Sequence, residues 1–170
     1  MSAVRRVLWE SVETIVIALA LALLIRVFLV ESFMVQGQSM EPTLHTGERL
    51  LVNKLTYRFR DPHPGEIIVF RYPVNPSRRF IKRVIAVAGD SVEIRDGQVF
   101  INGVPLRENY IRRDGGDFPL LEIPEGHIFV LGDNRTDSQD SRFFGAIPIS
   151  NVTGKAMFRY WPLPRMQAIN

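Results

Sequence analysis

Glu66-Ile67-Ile68-Val69-Phe70-Arg71-Tyr72 and Phe80-Ile81-Lys82-Arg83-Val84-Ile85-Ala86-Val87 are the two stretches whose reading decides the fold. The first is apolar on both faces at its centre, from Ile67 to Phe70, which predicts a strand. The second is also an apolar strand, but two adjacent cations interrupt it. Strand alternation sets Lys82 and Arg83 on opposite faces. With Arg83 toward solvent, Lys82 faces inward, loses hydration of its charged form and titrates lower. Bringing a lysine from about 10.4 to 7–8 costs about 3–5 kcal/mol. Once neutral, it can take a proton from a serine hydroxyl as general base. With Arg83 inward, or both side chains on an edge strand, Lys82 is an ordinary surface residue. The strand alone leaves both readings open.

Turn signals bound these strands on both sides. Upstream, Arg49-Leu50-Leu51-Val52-Asn53 reads as a strand and Asp61-Pro62-His63-Pro64-Gly65 as a turn. Pro73 to Ser77 is a second turn, and Gly89-Asp90 closes the lysine strand. Val92 to Arg95 and Gln98 to Ile101 flank Asp96-Gly97, whose tolerance of positive φ makes a hairpin signal. Asn102-Gly103 turns the chain again. Leu106 to Leu121 is polar and glycine-bearing and reads as a surface excursion. After Pro124-Glu125-Gly126 come a strand, Ile128 to Leu131, and a polar loop, Gly132 to Gly145. A last strand, Thr153 to Trp161, ends at Pro162 and Pro164. Many short strands with regular turns predict a mainly β, largely antiparallel domain over residues 31–170, with a small hairpin insertion near 90–124.

Ahead of this domain, Trp9 to Val30 reads as one transmembrane helix. Its uninterrupted apolar centre, Ile15 to Ile25, is short, but Val27 to Val30 brings it to the roughly 20 residues a bilayer core needs. Arg26 can snorkel to the headgroups. Arg5 and Arg6 place the tail, residues 1–8, in the cytoplasm and the β domain on the trans side. A cleavable signal has a similar start, yet Glu31-Ser32-Phe33-Met34 offers no small-x-small cleavage pattern. A buried helix of a soluble domain would show a polar face, and Ile15 to Ile25 shows none.

Composition narrows the chemistry. The chain has 170 residues with 21 basic and 18 acidic, a net charge of +3 that does not argue for nucleic acid. With no cysteine, disulfides, thiolate metal sites and cysteine nucleophiles are excluded. Three histidines far apart in sequence argue against zinc. No metal and no cofactor is expected.

Gln38-Ser39-Met40-Glu41-Pro42-Thr43-Leu44 follows the apolar run closely. Pro42 breaks regular structure, so Ser39 is expected on an exposed turn. Gly37, two residues before it, allows the close backbone approach that an oxyanion site requires, and equally suits an ordinary turn. The loop Gly132 to Gly145 carries Asp133, Arg135, Asp137, Ser138, Asp140 and Arg142. It reads either as solvated or as a rigid scaffold of carboxylate–arginine pairs. His45, His63 and His127 read as turn residues.

Together these residues resemble the bacterial and organellar type I signal peptidases. Ser39 to Leu44 matches that family's S-M-x-P-T-L box. Gly65 to Phe70 is similar to its G-D-I-V-V-F strand, with Glu66 for the usual aspartate. Ile81 to Ile85, followed by Gly89-Asp90, matches its lysine strand, and Gly132 to Gly145 matches G-D-N-R-x-x-S-x-D-S-R-x-x-G. Departures are Ala86 and Ala88, where Gly and Pro are frequent, and Thr136-Asp137 for the commoner Asp-Asn. With the anchor, the resemblance runs from about Trp9 to Trp161.

The resemblance implies a Ser/Lys dyad protease, with Ser39 the nucleophile and Lys82 the general base. It implies that Ser138 orients the lysine amine by a hydrogen bond, that Asp140 and Arg142 pair, and that Asp133 and Arg135 brace the loop. The oxyanion hole uses the Ser39 backbone N–H; at Gly37 any second donor must be backbone. The implied reaction removes signal peptides from preproteins, with small residues at −1 and −3. Phe33, Met34 and Met40 are expected at the substrate or membrane contact surface, with Trp161 and Leu163 as further candidates and core packing the alternative. Implied partners are preproteins, the lipid bilayer of a cytoplasmic or thylakoid membrane, and export machinery nearby. Two other readings stay in view. A self-cleaving Ser/Lys repressor would need a DNA-binding helix pair and no membrane span. A membrane-anchored β binding module would need no lysine buried in a strand.

Overall fold

The computed structural model describes residues 3–111 and 116–169, the helical residues 3, 4, 6, 7 and 24–28 by their backbone alone. Helix α1, Ala3–Phe28, is 26 residues long. Leu8, Trp9, Val12, Ile15, Leu19 and Leu23 along it are all exposed. Among the described residues, no helix is long and apolar enough to cross a membrane. The span read from the sequence includes 24–28, whose side chains lie outside the described ones. The helix also stops earlier than that reading: Val30 is already paired with Asn53 in a sheet.

The main sheet contains β1 (Val30–Met34), β2 (Arg49–Asn53), β3 (Ile67–Arg71), β4 (Arg79–Val87), β9 (His127–Leu131), β10 (Ile147–Pro148), β11 (Val152–Trp161) and β12 (Gln167–Ala168). Its order is β1-β2-β11-β3-β4-β9-β10, with β12 on β11, and its pairings are antiparallel. The sheet curls: β1 lies four places from β4 in that order, yet Arg79 forms an ion pair with Glu31 and its guanidinium lies 5.6 Å from the Phe33 ring centre. Two short helices, α2 (Thr56–Phe59) and α3 (Ser141–Phe144), sit in the connections.

The four apolar residues of β3 are all buried, as a strand covered on both faces requires. One core holds Met40, Leu44, Leu50, Val69 and Ile81. Another, on the opposite side of β3, holds Ile68, Phe70, Val84 and Val130. Both faces of the central strands are therefore dry, and that decides where the two cations of β4 go.

The insertion has more strands than the expected hairpin. β5 (Ser91–Arg95), β6 (Gln98–Ile101), β7 (Val104–Pro105) and β8 (Phe118–Glu122) form a second sheet in the order β7-β6-β5-β8. The Asp96-Gly97 turn joins Arg95 to Gln98, and both turn residues have positive φ, 49° and 76°. The surface excursion expected over Leu106 to Leu121 is only partly one. Phe118 and Leu121 pack on a core with Phe129 and Ile94, because the second sheet needs β8 to cover the edge of β5.

Candidate active site

Strand β4 lies between β3 and β9, so neither cation sits on an edge. Lys82 is 4% and Arg83 5% exposed. The expectation that one of the two must face solvent is corrected: alternation puts them on opposite faces, and both faces are covered. Arg83 forks onto Asp133, Nε to Oδ1 at 2.9 Å and Nη2 to Oδ2 at 2.8 Å. Lys82 instead brings Nζ to 2.6 Å from Ser39 Oγ.

The two environments act on the charges in opposite senses. Burial pushes the Lys82 ammonium down from 10.5 to about 8, against the pull of Asp140 and Asp133. Burial also works against the Arg83 charge, but hydrogen bonds and charge from Asp133 outweigh it and hold the guanidinium above its ordinary range.

Ser39 sits on a half-buried turn between β1 and β2. Gly37 precedes it at φ 85°, a conformation that glycine adopts without strain. Met40 does not face substrate or membrane: it is 1% exposed and packs in the first core, because it follows Ser39 on the inner side of the turn. Met34, Trp161 and Leu163 are exposed, and Phe33 is half-buried against the same core. The loop from Gly132 holds the turn in place. The Asn134 N–H donates to Ser39 O at 3.0 Å, and its Nδ2 donates to Gln38 O at 3.2 Å. Thr43 donates to Asp133 Oδ2 at 2.5 Å. A Cβ on Gly132 would stand 2.2 Å from Ser138 Oγ and 2.5 Å from Ser39 O, so only glycine lets the loop and the serine turn touch.

Asp140 and Arg142 pair, Nε to Oδ1 at 2.8 Å. Asp140 also accepts from Gly132 N at 3.1 Å and from Arg142 N at the start of α3. Asp133 and Arg135 each tie the loop to another part of the chain: Asp133 binds Arg83, and Arg135 binds Glu108. Ser138 Oγ is buried without a partner, so the hydrogen bond expected from it to Lys82 is not made. The histidines lie apart from Ser39 and Lys82. His45 Nδ1 meets Arg165 Nη1 at 3.0 Å, His63 Nδ1 meets Arg60, and His127 Nδ1 meets Glu125 O.

Sequence reasoning missed Asn134, Thr43, Glu108 and Tyr110. The first two sit inside quoted motifs and gave the signal of a polar residue beside a key one. Glu108 and Tyr110 gave none, since they lie in the stretch read as excursion. A groove of about 790 Å³ opens over Ser39 and Lys82, lined among others by Phe33, Met34, Gly37 and Asp137. Among the described residues, no cluster of His, Cys, Asp and Glu could hold a metal ion.

Residues 8–161 match the family model described as "Signal peptidase, peptidase S26". The chain is 42% identical over 164 residues to a probable signal peptidase I-1 of Synechocystis sp., covering 92% of this chain and 84% of that protein. It is 35% identical to thylakoidal processing peptidase 1 of Arabidopsis thaliana, covering 90% of this chain and 48% of that one. Among solved structures, a signal peptidase I from Enterococcus faecalis V583 superposes with a TM-score of 0.52 at 37% identity, over 56% of this chain and 97% of that one. A buried lysine against a serine, on a fold and sequence shared with these hydrolases, leads to one assignment: the chain belongs to the signal peptidase, peptidase S26, family of serine endopeptidases.

Proposed function

We propose that the protein removes signal peptides from preproteins by Ser/Lys dyad catalysis. The observation that carries this reading is the 2.6 Å contact between Lys82 Nζ and Ser39 Oγ, with the lysine almost wholly buried. A lysine titrating at about 8 is partly neutral near physiological pH. Neutral Nζ accepts the Ser39 hydroxyl proton as Oγ attacks the scissile carbonyl carbon. Negative charge builds on the carbonyl oxygen, where the Ser39 N–H and a second backbone donor near Gly37 receive it. The Lys82 ammonium then gives its proton to the leaving amine, and the signal peptide remains as an ester on Ser39. Water, deprotonated by Lys82, cleaves that ester and frees the enzyme. In this reading the Ser138 hydroxyl, buried and unpartnered in the resting structure, turns to accept from the ammonium while it holds the extra proton.

The groove beside β1 supports an extended substrate segment, and its small-residue preference at −1 and −3 belongs to the same reading. Helix α1 is the proposed anchor, its N-terminus cytoplasmic and the β domain on the trans side of a cytoplasmic or thylakoid membrane. Its exposed apolar residues on every side support this. Anchored beside an anchored substrate, the dyad meets its peptide bond almost intramolecularly, with lipid and export machinery as neighbours.

The test is cleavage of a labelled preprotein by the full chain in detergent, with the cut located. Ser39→Ala is expected to fold and to lose cleavage by about a thousandfold or more. Wild-type turnover in that variant would exclude the serine mechanism.

A further inference from the structure

We infer that Glu108, on the segment leading out of β7, is a positioning residue for the proposed dyad, acting through Arg135 on the loop that begins at Gly132. The inference rests on the dyad reading above and extends it to a part of the chain outside the quoted motifs.

Arg135 and Glu108 form an ion pair whose side chains are 1% and 3% exposed. Among the described residues Glu108 is the one acid paired with Arg135. A buried guanidinium without its carboxylate is costly, so the pair fixes where Arg135 lies. From that place Arg135 reaches the catalytic loop at two points. Its Nε donates to Gly132 O at 3.0 Å, and its own carbonyl accepts from Arg142 Nη2 at 2.7 Å. Gly132 is the residue with no room for a Cβ between Ser138 and Ser39. Arg142 holds Asp140, whose charge acts on Lys82. Two residues, Arg135 and Gly132, therefore stand between Glu108 and Ser39, and Glu108 touches neither member of the dyad.

Tyr110 locks the acid from the other side. Its hydroxyl donates to Glu108 Oε1 at 2.9 Å. Burial and the Glu108 charge push the phenol well above its ordinary range, so it stays a donor. The Arg83 guanidinium lies 4.0 Å from the centre of the Tyr110 ring. One short segment thus seats both arginines that hold the catalytic loop, Arg83 through Asp133 and Arg135 through Gly132. The inserted sheet delivers that segment, which gives the insertion a part in catalysis.

The test uses the full chain in detergent and a labelled preprotein, with wild type and Ser39→Ala as controls. Glu108→Gln keeps the shape and removes the charge. It is expected to lower kcat by about tenfold or more per folded molecule while KM changes by less than kcat does, because the dyad geometry acts on the transition state and the loop lends only Asp137 and Gln139 to the groove. Glu108→Asp should recover part of the loss. An equal fall in folded fraction and activity, or wild-type kcat, overturns the inference. If Glu108→Gln does not fold, Tyr110→Phe decides. A loss of about threefold or more in kcat supports the role, and unchanged kcat overturns it. An active Ser39→Ala would instead sink the dyad reading itself, so the two failures are separable.

Discussion

Lys82 and Arg83 are chain neighbours, both cationic and both buried, yet the two faces of β4 treat them oppositely. On one face Arg83 meets a carboxylate that takes two of its nitrogens. Desolvation is offset, and the charge is locked in. On the other face Lys82 meets a hydroxyl, and the acids that act on it, Asp140 and Asp133, do not cancel the loss of water. A buried cation with its own acid is a brace. One whose desolvation is left uncompensated titrates lower, toward the range in which the proposed base works.

The largest effect should come from making the two residues alike. Lys82→Arg keeps the positive charge but places on the dyad face a group that stays protonated. Preprotein cleavage should fall by about a thousandfold or more while the domain folds, and turnover near wild type would refute the dyad. Next comes breaking the brace. Arg83→Met leaves Asp133 buried without its cation and should destabilise the domain by about 3–5 kcal/mol in urea unfolding. A loss below about 1 kcal/mol would mean that the pair is not dry.

The smaller effect concerns the cost of the base. The folded value for Lys82, about 8, lies below its ordinary 10.5. Below pH 8 both folded and unfolded states carry the proton, and the cost of burying the charge is present in full. Between pH 8 and 10.5 the unfolded state binds more protons, so stability rises with pH and the cost fades. Lys82→Met never carries this cost. It should be more stable than wild type by about 3 kcal/mol at pH 7, with the difference shrinking toward pH 10.5. A pH-independent difference in unfolding midpoints would show that Lys82 is not strained.

Much of the fold was legible because it depends on local pattern. Ile67 to Phe70 had to be covered on both faces, and Asp96-Gly97 had to be a tight hairpin. Ser39 and Lys82 were named from motifs. The long-range partners of the braces were not legible. Asp133 was named as a brace of its loop, but its partner, Arg83 fifty residues away, was not. Met40 stood beside the serine in sequence and faced the core in space. Phe118 to Leu121 looked like excursion because β8 is covered by β5, and nothing local says so.

The sequence by itself determined the strands β2 to β6, β9 and β11, though not β1 or β8, and which serine and lysine could do chemistry, because propensity and alternation act over a few residues. It could not say which way β4 faced, since alternation is symmetric between its two sides. Only the tertiary structure decided that, by covering both faces and setting a carboxylate on one and a serine, forty-three residues back, on the other.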